Sequence, residues 1–564
     1  MGGHPHLTAI ALVLWLVCKA DTSHGTRAAW AALDAGTQKL LIQDGKPQKA
    51  DFSTESKYVP VAWGTFRNDI NETGWSYLQI ESNERVPDEL QAYAAGAVEA
   101  QLTRHLMEYH WINMFGRYRE NQATYYDKLA QFFTENLKYS QEQQHLLREN
   151  DSFWNMVHLQ MKQLAGLSDA FENKQLDFSS EVSGALRMVY LNAIADIQDL
   201  ENILGRKPNL YSIDKILACS ALVKIIGDFE DLYFAHSTWF LYRAMLRVQK
   251  KYILPWHQTA SSTTPEDVVP GHTMTITTYP GMLISWDSYY LTSAGLAITE
   301  TQLLNENTDL NRLVTPTGVI MGWIRAAVAS RLSTTGEEWA RTMSKENSGT
   351  ANSQKLVLDY KLFRPGAPIV DGTFWMHEQM PGIVHYEDLS ARLREQKYWA
   401  GYNVPYFDDI FKISGQPANV EEYGDYYTYE NCPRAKLFRR DHTKLKDLDS
   451  VTAYMRYNDY KNDPLSRCNC TPPYNPVFAI AARHDLLCPW GKYDAPGMNR
   501  RAVGGIDTKV TNQDLFASSE FVAISGPTWE MLPPFQWSTS GLPDIHVGHP
   551  DKWQFGPVHH KWNE

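Results

Sequence analysis

The chain has 564 residues, of which 43% are apolar and 21% charged, with a formal net charge of −12. This is globular composition, long enough for several ordinary domains or one large body with an extended core. Its 18 Trp and 30 Tyr argue against extended disorder. The acidic balance argues against a nucleic-acid partner, because phosphate recognition wants a basic face.

Leu7 to Val17 is an apolar run of signal-peptide length, too short to span a bilayer, and Ala20 offers a small residue for cleavage. Residues 1–20 are therefore expected to be a secretory leader. No later apolar run approaches the ~20 residues that a membrane helix needs, so no transmembrane segment is expected and the route ends in the lysosome or outside the cell. Glycosylation triplets at Asn71, Asn150 and Asn469 fit that route.

Up to about residue 85 the sequence mixes turns with strand-like pieces such as "TGWSYLQIES". From Pro87 to about Leu204 the period is helical. Leu90, Ala94, Val98, Leu102 and Leu106 recur every four residues. Trp154, Val157, Met161 and Leu164 form a second stripe, with Asn150 or Asp151 placed to cap it. A third helix is expected from Glu181 to Leu204, stopped by Gly205 and Pro208. Core packing accounts for all three stripes. Beyond Pro208 the period falls to two. "KILACSALVKI", the turn "GDFED" and "LYFAHSTWF" read as a hairpin. "TMTITTYP", "MLISWDSYYLTSAGLAITETQLL", "SQKLVLDYKLF", "VFAIAARHDLL" and "SSEFVAISGPTW" read as later strands, with a short helix in "LVTPTGVIMGWIRAAVASRLS". Strand-rich sequence with embedded helices predicts an α+β sandwich rather than a doubly wound sheet.

Cys18 leaves with the leader. Cys432, Cys468, Cys470 and Cys488 are candidates for two disulfides, with three possible pairings. Cys468 and Cys470 are too close in sequence to pair readily, so longer-range bridges are expected. Cys219 is left alone on the first strand of the hairpin. A lone thiol in an oxidising compartment is either buried and inert or reactive. One chemistry suits it. The thiol attacks the carbonyl of Ala218, the peptide shifts to a thioester, and water releases Cys219 as a new N-terminus. Its α-amine, with an ordinary pKa of about 8, then serves as the base for its own side chain. Papain-like context, HExxH, a phosphate loop, a dinucleotide fingerprint and GxSxG are all missing. No metal or cofactor is expected.

Several long segments resemble the phospholipase B-like (lamina ancestor-like) family. They are "LACSALVKI", "FAHSTWFLYRAMLRVQKKY", "YPGMLISWDSYYLTSAGLAITET", "NSGTANSQ", "YNVPYF", "PRAKLFRRDH", "YMRYNDYKNDPLS", "AIAARHDL", "GGIDTKVT" and "SGPTWEMLPPFQWS". The resemblance covers about residue 55 to the end. It implies an N-terminal-nucleophile hydrolase, an αββα sandwich of two stacked antiparallel sheets between helical layers. It also implies autocatalytic cleavage between Ala218 and Cys219, with residues 21–218 staying bound to a catalytic fragment of residues 219–564. Cys219 is then the nucleophile. His236 and Trp239 on the partner strand become pocket residues, in places where related cysteine enzymes carry Arg and Asp. Asn352 and Asn403 become oxyanion donors, and Arg434 a group that fixes the α-amine or a substrate carbonyl. Lys355 replaces the Trp of the family's usual "NNQW". The implied substrate is a lipid acyl ester, with release of fatty acid from phospholipids. A lipid or peptide amidase, and a self-cleaved binding protein without turnover, are the alternatives.

Overall fold

The computed structural model describes residues 25–53, 56–182, 186–213, 219–262 and 264–562. The expected leader at residues 1–20, with Cys18, and Ala218 lie outside the described residues. The strands are β1 (Arg27–Asp34), β2 (Leu40–Asp44), β3 (Tyr58–Asp69), β4 (Trp75–Ser82), β5 (Ser220–Ile226), β6 (Asp231–Leu241), β7 (Arg247–Ile253), β8 (Thr273–Thr278), β9 (Tyr290–Thr292), β10 (Leu296–Gln302), β11 (Ser353–Asp359), β12 (Phe374–Met380), β13 (Ile383–Asp388), β14 (Tyr398–Gly401), β15 (Val503–Thr511), β16 (Val522–Ser525), β17 (Phe535–Gln536), β18 (Lys552–Trp553) and β19 (Val558–His559). The helices used below are α1 (Asp88–Phe115), α2 (Ala123–Leu147), α3 (Ser152–Phe171), α4 (Arg187–Asn192), α5 (Ile194–Ile203), α6 (Gly322–Leu332), α7 (Gly336–Ser344), α8 (Pro433–Asp441) and α9 (Leu448–Tyr454).

Eleven strands form one sheet in the order β13-β12-β11-β10-β9-β8-β7-β4-β3-β1-β2, and six form another, β14-β5-β6-β15-β16-β19. Pairing in the large sheet is antiparallel except where β4 meets β7. There the strands run parallel, from Trp75 opposite Arg247 to Glu81 opposite Ile253. The segment before Cys219 thus supplies one side of the sheet and the segment after it the other.

Strand periodicity sorts the side chains into layers. On β5, Ala221, Val223 and Ile225 point into a core shared with Leu291, Leu356 and Leu358 of the large sheet. Leu222 and Ile226, on the opposite face, pack with Leu437 and Phe438 of α8 and Val451 of α9. On β4, Leu78 and Ile80 face α1 and α3, where Val98, Leu102, Val157 and Leu164 complete a third core. Strands such as β5, β11 and β15 are therefore covered on both faces and read as near-continuous buried runs, while the outer strands β2 and β13 stay partly exposed. The molecule is the expected α+β sandwich of two stacked sheets flanked by helices.

The helical stripes of α1 and α3 meet at two glycines. A Cβ on Gly96 would collide with the Gln163 carbonyl, and one on Gly166 with the Tyr93 carbonyl. The two backbones touch there, and only glycine permits it. Asp151 caps α3, its Oδ1 accepting from the N–H groups of Phe153 and Trp154 at 2.8 and 3.2 Å.

Three expectations need correction. The single helix expected from Glu181 to Leu204 is two, α4 and α5, divided at Ala193. Asn192 turns into the loop at residues 281–283, donating to the Gly281 carbonyl at 2.9 Å and accepting from Leu283 N–H at 2.7 Å, and the chain breaks to allow it. "VFAIAARHDLL" is buried but is not a strand. Its carbonyls are taken by side chains: Phe478 O by Ser466, Ile480 O by Ser220 and Trp239, Ala481 O by Asn458. Only an isolated bridge of Arg483 to Gly504 touches a ladder. Finally, Cys468 is bonded to Cys470, with Cα atoms 5.2 Å apart, and among the described residues no longer-range bridge forms. The chain bends at Asn469 and brings the pair within disulfide span. Cys432 and Cys488 are free thiols, the first buried at the start of α8.

Gly166→Ala is expected to destabilise the fold by about 1–3 kcal/mol or more through overpacking, read as a lower urea midpoint. A midpoint equal to that of the wild type would refute the backbone contact.

Candidate active site

Cys219 is the residue before β5, and its backbone has φ of +92°. That conformation favours glycine, and for cysteine it stores about 1–3 kcal/mol of strain. The surroundings hold it there. Arg434, near the start of α8, donates through Nη1 to the Cys219 carbonyl at 2.5 Å and to Ser220 Oγ at 3.2 Å. Its other nitrogen, Nη2, reaches the Tyr402 carbonyl and Asn403 Oδ1, both at 2.7 Å. The guanidinium also lies over the Trp239 ring, 4.3 Å from its centroid. Asn403 is itself left-handed, with φ of +68°, and its Nδ2 donates to the Gln302 carbonyl at 2.9 Å. One planar cation thereby joins the first residues of β5, the loop after β14 and β6. The fork geometry of arginine suits this, where a lysine point charge would not.

The thiol is buried, and burial pushes its pKa up; the Trp239 N–H and the Lys509 charge act in the opposite direction, while Asp287 and Glu300 add to the rise. Beside it lies a cluster of four fully buried charges. Lys509 Nζ donates to Asp287 Oδ2 and Thr238 Oγ1 at 2.5 Å and to Asp507 Oδ1 at 2.7 Å. Arg247 Nη2 pairs with Asp287 at 2.9 Å and with Asp507 at 2.6 Å. Burial raises the Asp287 pKa, but Lys509 and Arg247 outweigh it and hold the carboxyl well below the usual range. Sequence reasoning did not single out these residues. Their signal was the spacing in "GGIDTKVT", which puts Asp507 and Lys509 on one face of β15, and a lone acid in the apolar "LISWDSYY".

His236 sits on β6 opposite Ala221. Its Nε2 meets the Glu300 carbonyl at 2.9 Å and its Nδ1 meets Thr238 Oγ1 at 3.4 Å. Burial, aided by Lys509, pushes its pKa well below the ordinary value. A neutral imidazole engaged at both nitrogens fastens β6 to β10, and among the described residues no hydrogen bond joins it to Cys219. Trp239 spends its indole N–H on the Ile480 carbonyl at 3.0 Å.

Asn352 belongs to a different neighbourhood. Its Nδ2 donates to the Gly349 carbonyl at 2.9 Å and to Asp199 Oδ2 at 3.3 Å. Asp199 is pushed up to about 7 by burial. Asn352 and Gln302 line one cleft with Asp199, whereas Arg434 and Asn403 line another. Lys355 pairs with Glu300 and donates to Ser288 Oγ at 3.3 Å. Cys219, Trp239, Asn403 and Arg434 are thus brought together, His236 lies beside them between the sheets, and Asn352 stands apart.

Arg434 and Asn403 also wall a narrow cleft with Tyr402, Tyr426, Tyr427 and Phe478. The loop that presents Asn403 is pinned by Glu378. This buried carboxyl accepts from Gln354 Nε2 and Tyr406 N–H at 2.7 Å and from Phe407 N–H at 3.2 Å. Burial pushes it up to about 7 against those donors. Among the described residues, no group of three or more His, Cys, Asp or Glu is placed to hold a metal ion, and no helix is long and apolar enough to cross a membrane.

Fold and site together define an α+β sandwich with a strained, arginine-clamped cysteine at the head of a central strand. Comparison with known proteins gives the family. The Phospholipase B family model matches residues 62–560. A Bos taurus protein named "Putative phospholipase B-like 2" is 38% identical over 539 residues, spanning 94% of this chain and 89% of that protein. Its namesake in Mus musculus is 39% identical over 542 residues, spanning 94% and 88%. One in Caenorhabditis elegans is 37% identical over 558 residues, spanning 98% and 93%. The chain belongs to the Phospholipase B family.

Lys509→Met leaves Asp287 and Asp507 with one cation between them and is expected to cost about 3–5 kcal/mol, measured by denaturant unfolding; a loss below about 1 kcal/mol would show that the cluster carries little. Glu378 gives a pH signature. Its pKa is raised on folding, so its stabilising contribution is complete below the ordinary 4.5 and is lost as the pH rises through about 7. Glu378→Gln, which cannot ionise, is therefore expected to gain on the wild type between about pH 5 and pH 8. A stability difference independent of pH would refute the assignment.

Proposed function

We propose that this protein is a self-processing cysteine hydrolase of the N-terminal-nucleophile type that cleaves acyl bonds, releasing fatty acids from phospholipids. The observation that carries the reading is the left-handed backbone of Cys219, the residue before β5, with its carbonyl held by Arg434. The strain sits at Cys219, and cleavage of the peptide bond before it would relieve it. In that step Sγ bonds to the Ala218 carbonyl carbon and the Ala218–Cys219 C–N bond breaks. The thiol proton passes to the departing nitrogen, which becomes the α-amine. Water then hydrolyses the thioester, leaving Ala218 as a carboxylate and restoring the thiol.

In turnover the same thiol attacks a substrate acyl carbon, with the α-amine as its base. Asn403 and the Trp239 backbone N–H are the candidates for stabilising the oxyanion. Preorganised donors of this kind contribute about 3–4 kcal/mol each. His236, neutral and held at both nitrogens, acts as a positioning residue. Family membership and the name of the relatives support a lipid ester as substrate. The bond cut in self-processing is an amide, which supports N-acyl amides as the second substrate class. Exposed side chains at Asn71, Asn150 and Asn469 support a glycosylated protein of the lysosomal or secreted route. The β4–β7 ladder supports retention of the N-terminal fragment after the cut.

The test is intact-mass analysis of purified wild type and Cys219→Ala, followed by incubation of both with labelled phospholipid and labelled N-acyl amide. The wild type is expected to be cut before Cys219 and to release labelled acid, and the variant to do neither. An uncut wild type ends the self-processing reading. A cut protein that releases acid from neither substrate is a binding protein.

A further inference from the structure

The cleft at Arg434 is the inner of two chambers. An outer one of about 350 Å³ opens beyond it. Tyr426, Pro433 and Phe478 wall both. The Tyr426 and Phe478 rings stack with centroids 5.2 Å apart, so this aromatic pair forms the partition. The inner chamber is completed by Tyr402, Val404, Tyr427 and Val477 and ends at Arg434.

The outer chamber has a different chemistry. Tyr423 and Tyr493 join Tyr426 on its walls, with Arg467 and Asp494. Lys436 and Asp425 on the same walls pair with each other at 3.1 Å. Among the described residues, Arg467 and Asp494 have no side-chain partner. The chamber therefore offers one uncommitted cation, one uncommitted anion and three phenol rings. A guanidinium matches phosphate oxygens. Tyrosine faces and a carboxylate attract an alkylated ammonium. A simple anion would meet Asp494 and a simple cation Arg467, whereas a zwitterion answers both.

We infer that the outer chamber is the head-group site and selects a zwitterionic phosphate–ammonium group. Its phosphate sits by Arg467 and its ammonium among Tyr423, Tyr426, Tyr493 and Asp494. The ester end of the lipid then faces the Tyr426–Phe478 pair, behind which a narrow cleft leads to Arg434, whose guanidinium holds the Cys219 carbonyl. This rests on the acyl-hydrolase reading, but the head-group site itself requires no turnover.

The test is binding on the full-length protein. Saturation-transfer NMR is recorded with glycerophosphocholine, with choline and inorganic phosphate as separate probes. Micellar dodecanoyl lysophosphatidylcholine serves as the lipid arm. The trimethylammonium protons of glycerophosphocholine and of the lysolipid are expected to receive saturation, and choline less. Arg467→Ala and Tyr493→Ala are expected to weaken glycerophosphocholine binding about five- to tenfold each. Arg467 is exposed and Tyr493 half-buried, and circular dichroism of each variant confirms its fold. Asn469 stands on the same rim, so the protein is measured with and without its N-glycans; binding only after deglycosylation supports the inference. No saturation in either form, equal binding by the variants, or competition by inorganic phosphate as effective as by the zwitterion overturns it. If glycerophosphocholine binds and no acyl bond is cut, the hydrolase reading fails while the head-group site stands.

Discussion

The structure depends on four charges sealed between two sheets. Arg247 comes from β7, Asp287 from the loop before β9, and Asp507 and Lys509 from β15. Each ion loses its water, at a cost of several kcal/mol, and the loss is recovered only if geometry and number match. Here two cations face two anions, and Thr238, Thr277 and Ser285 supply further hydrogen bonds to Asp287. An apolar contact tolerates sliding, but this cluster does not. It fixes the small sheet against the large one in a single register, and that register sets where Cys219 lies relative to Trp239.

Arg434 carries that order outward. Its guanidinium touches groups from residues 219, 220, 402 and 403 and lies on the ring of Trp239. Those residues are far apart in the chain and have no local reason to meet. Planarity and a fork of donors let one side chain define a left-handed cysteine, a left-handed asparagine and the end wall of a cleft at once.

Much of this was legible in the sequence. The two-residue period and the "GDFED" turn located the β5–β6 hairpin, and the spacing of four located α1 and α3, because burial on one face imposes those periods directly. Unpaired Cys219 was legible because every other cysteine had a bridging candidate. The rest was hidden for identifiable reasons. Asp287 is a single acid in an aromatic run, and only tertiary contact reveals its partners. "VFAIAARHDLL" has strand composition, but its carbonyls serve side chains of distant residues, which no local pattern records. Asn352 and Asn403 look alike in sequence; one ended against Asp199 and the other against Arg434. The Cys468–Cys470 bond was discounted on spacing, and the bend at Asn469 made it.

The parallel pairing of β4 with β7 has a further consequence. The large sheet is one hydrogen-bonded object assembled from both sides of residue 219. If the proposed cut before Cys219 occurs, the sheet would still join the two pieces, yet the molecule would have become two polypeptides. Once melted, it reassembles at a rate that depends on concentration rather than on chain connectivity. Such a protein persists by the height of its unfolding barrier more than by the depth of its equilibrium. Maturation would make it a one-way product, suited to a compartment where whatever opens is digested.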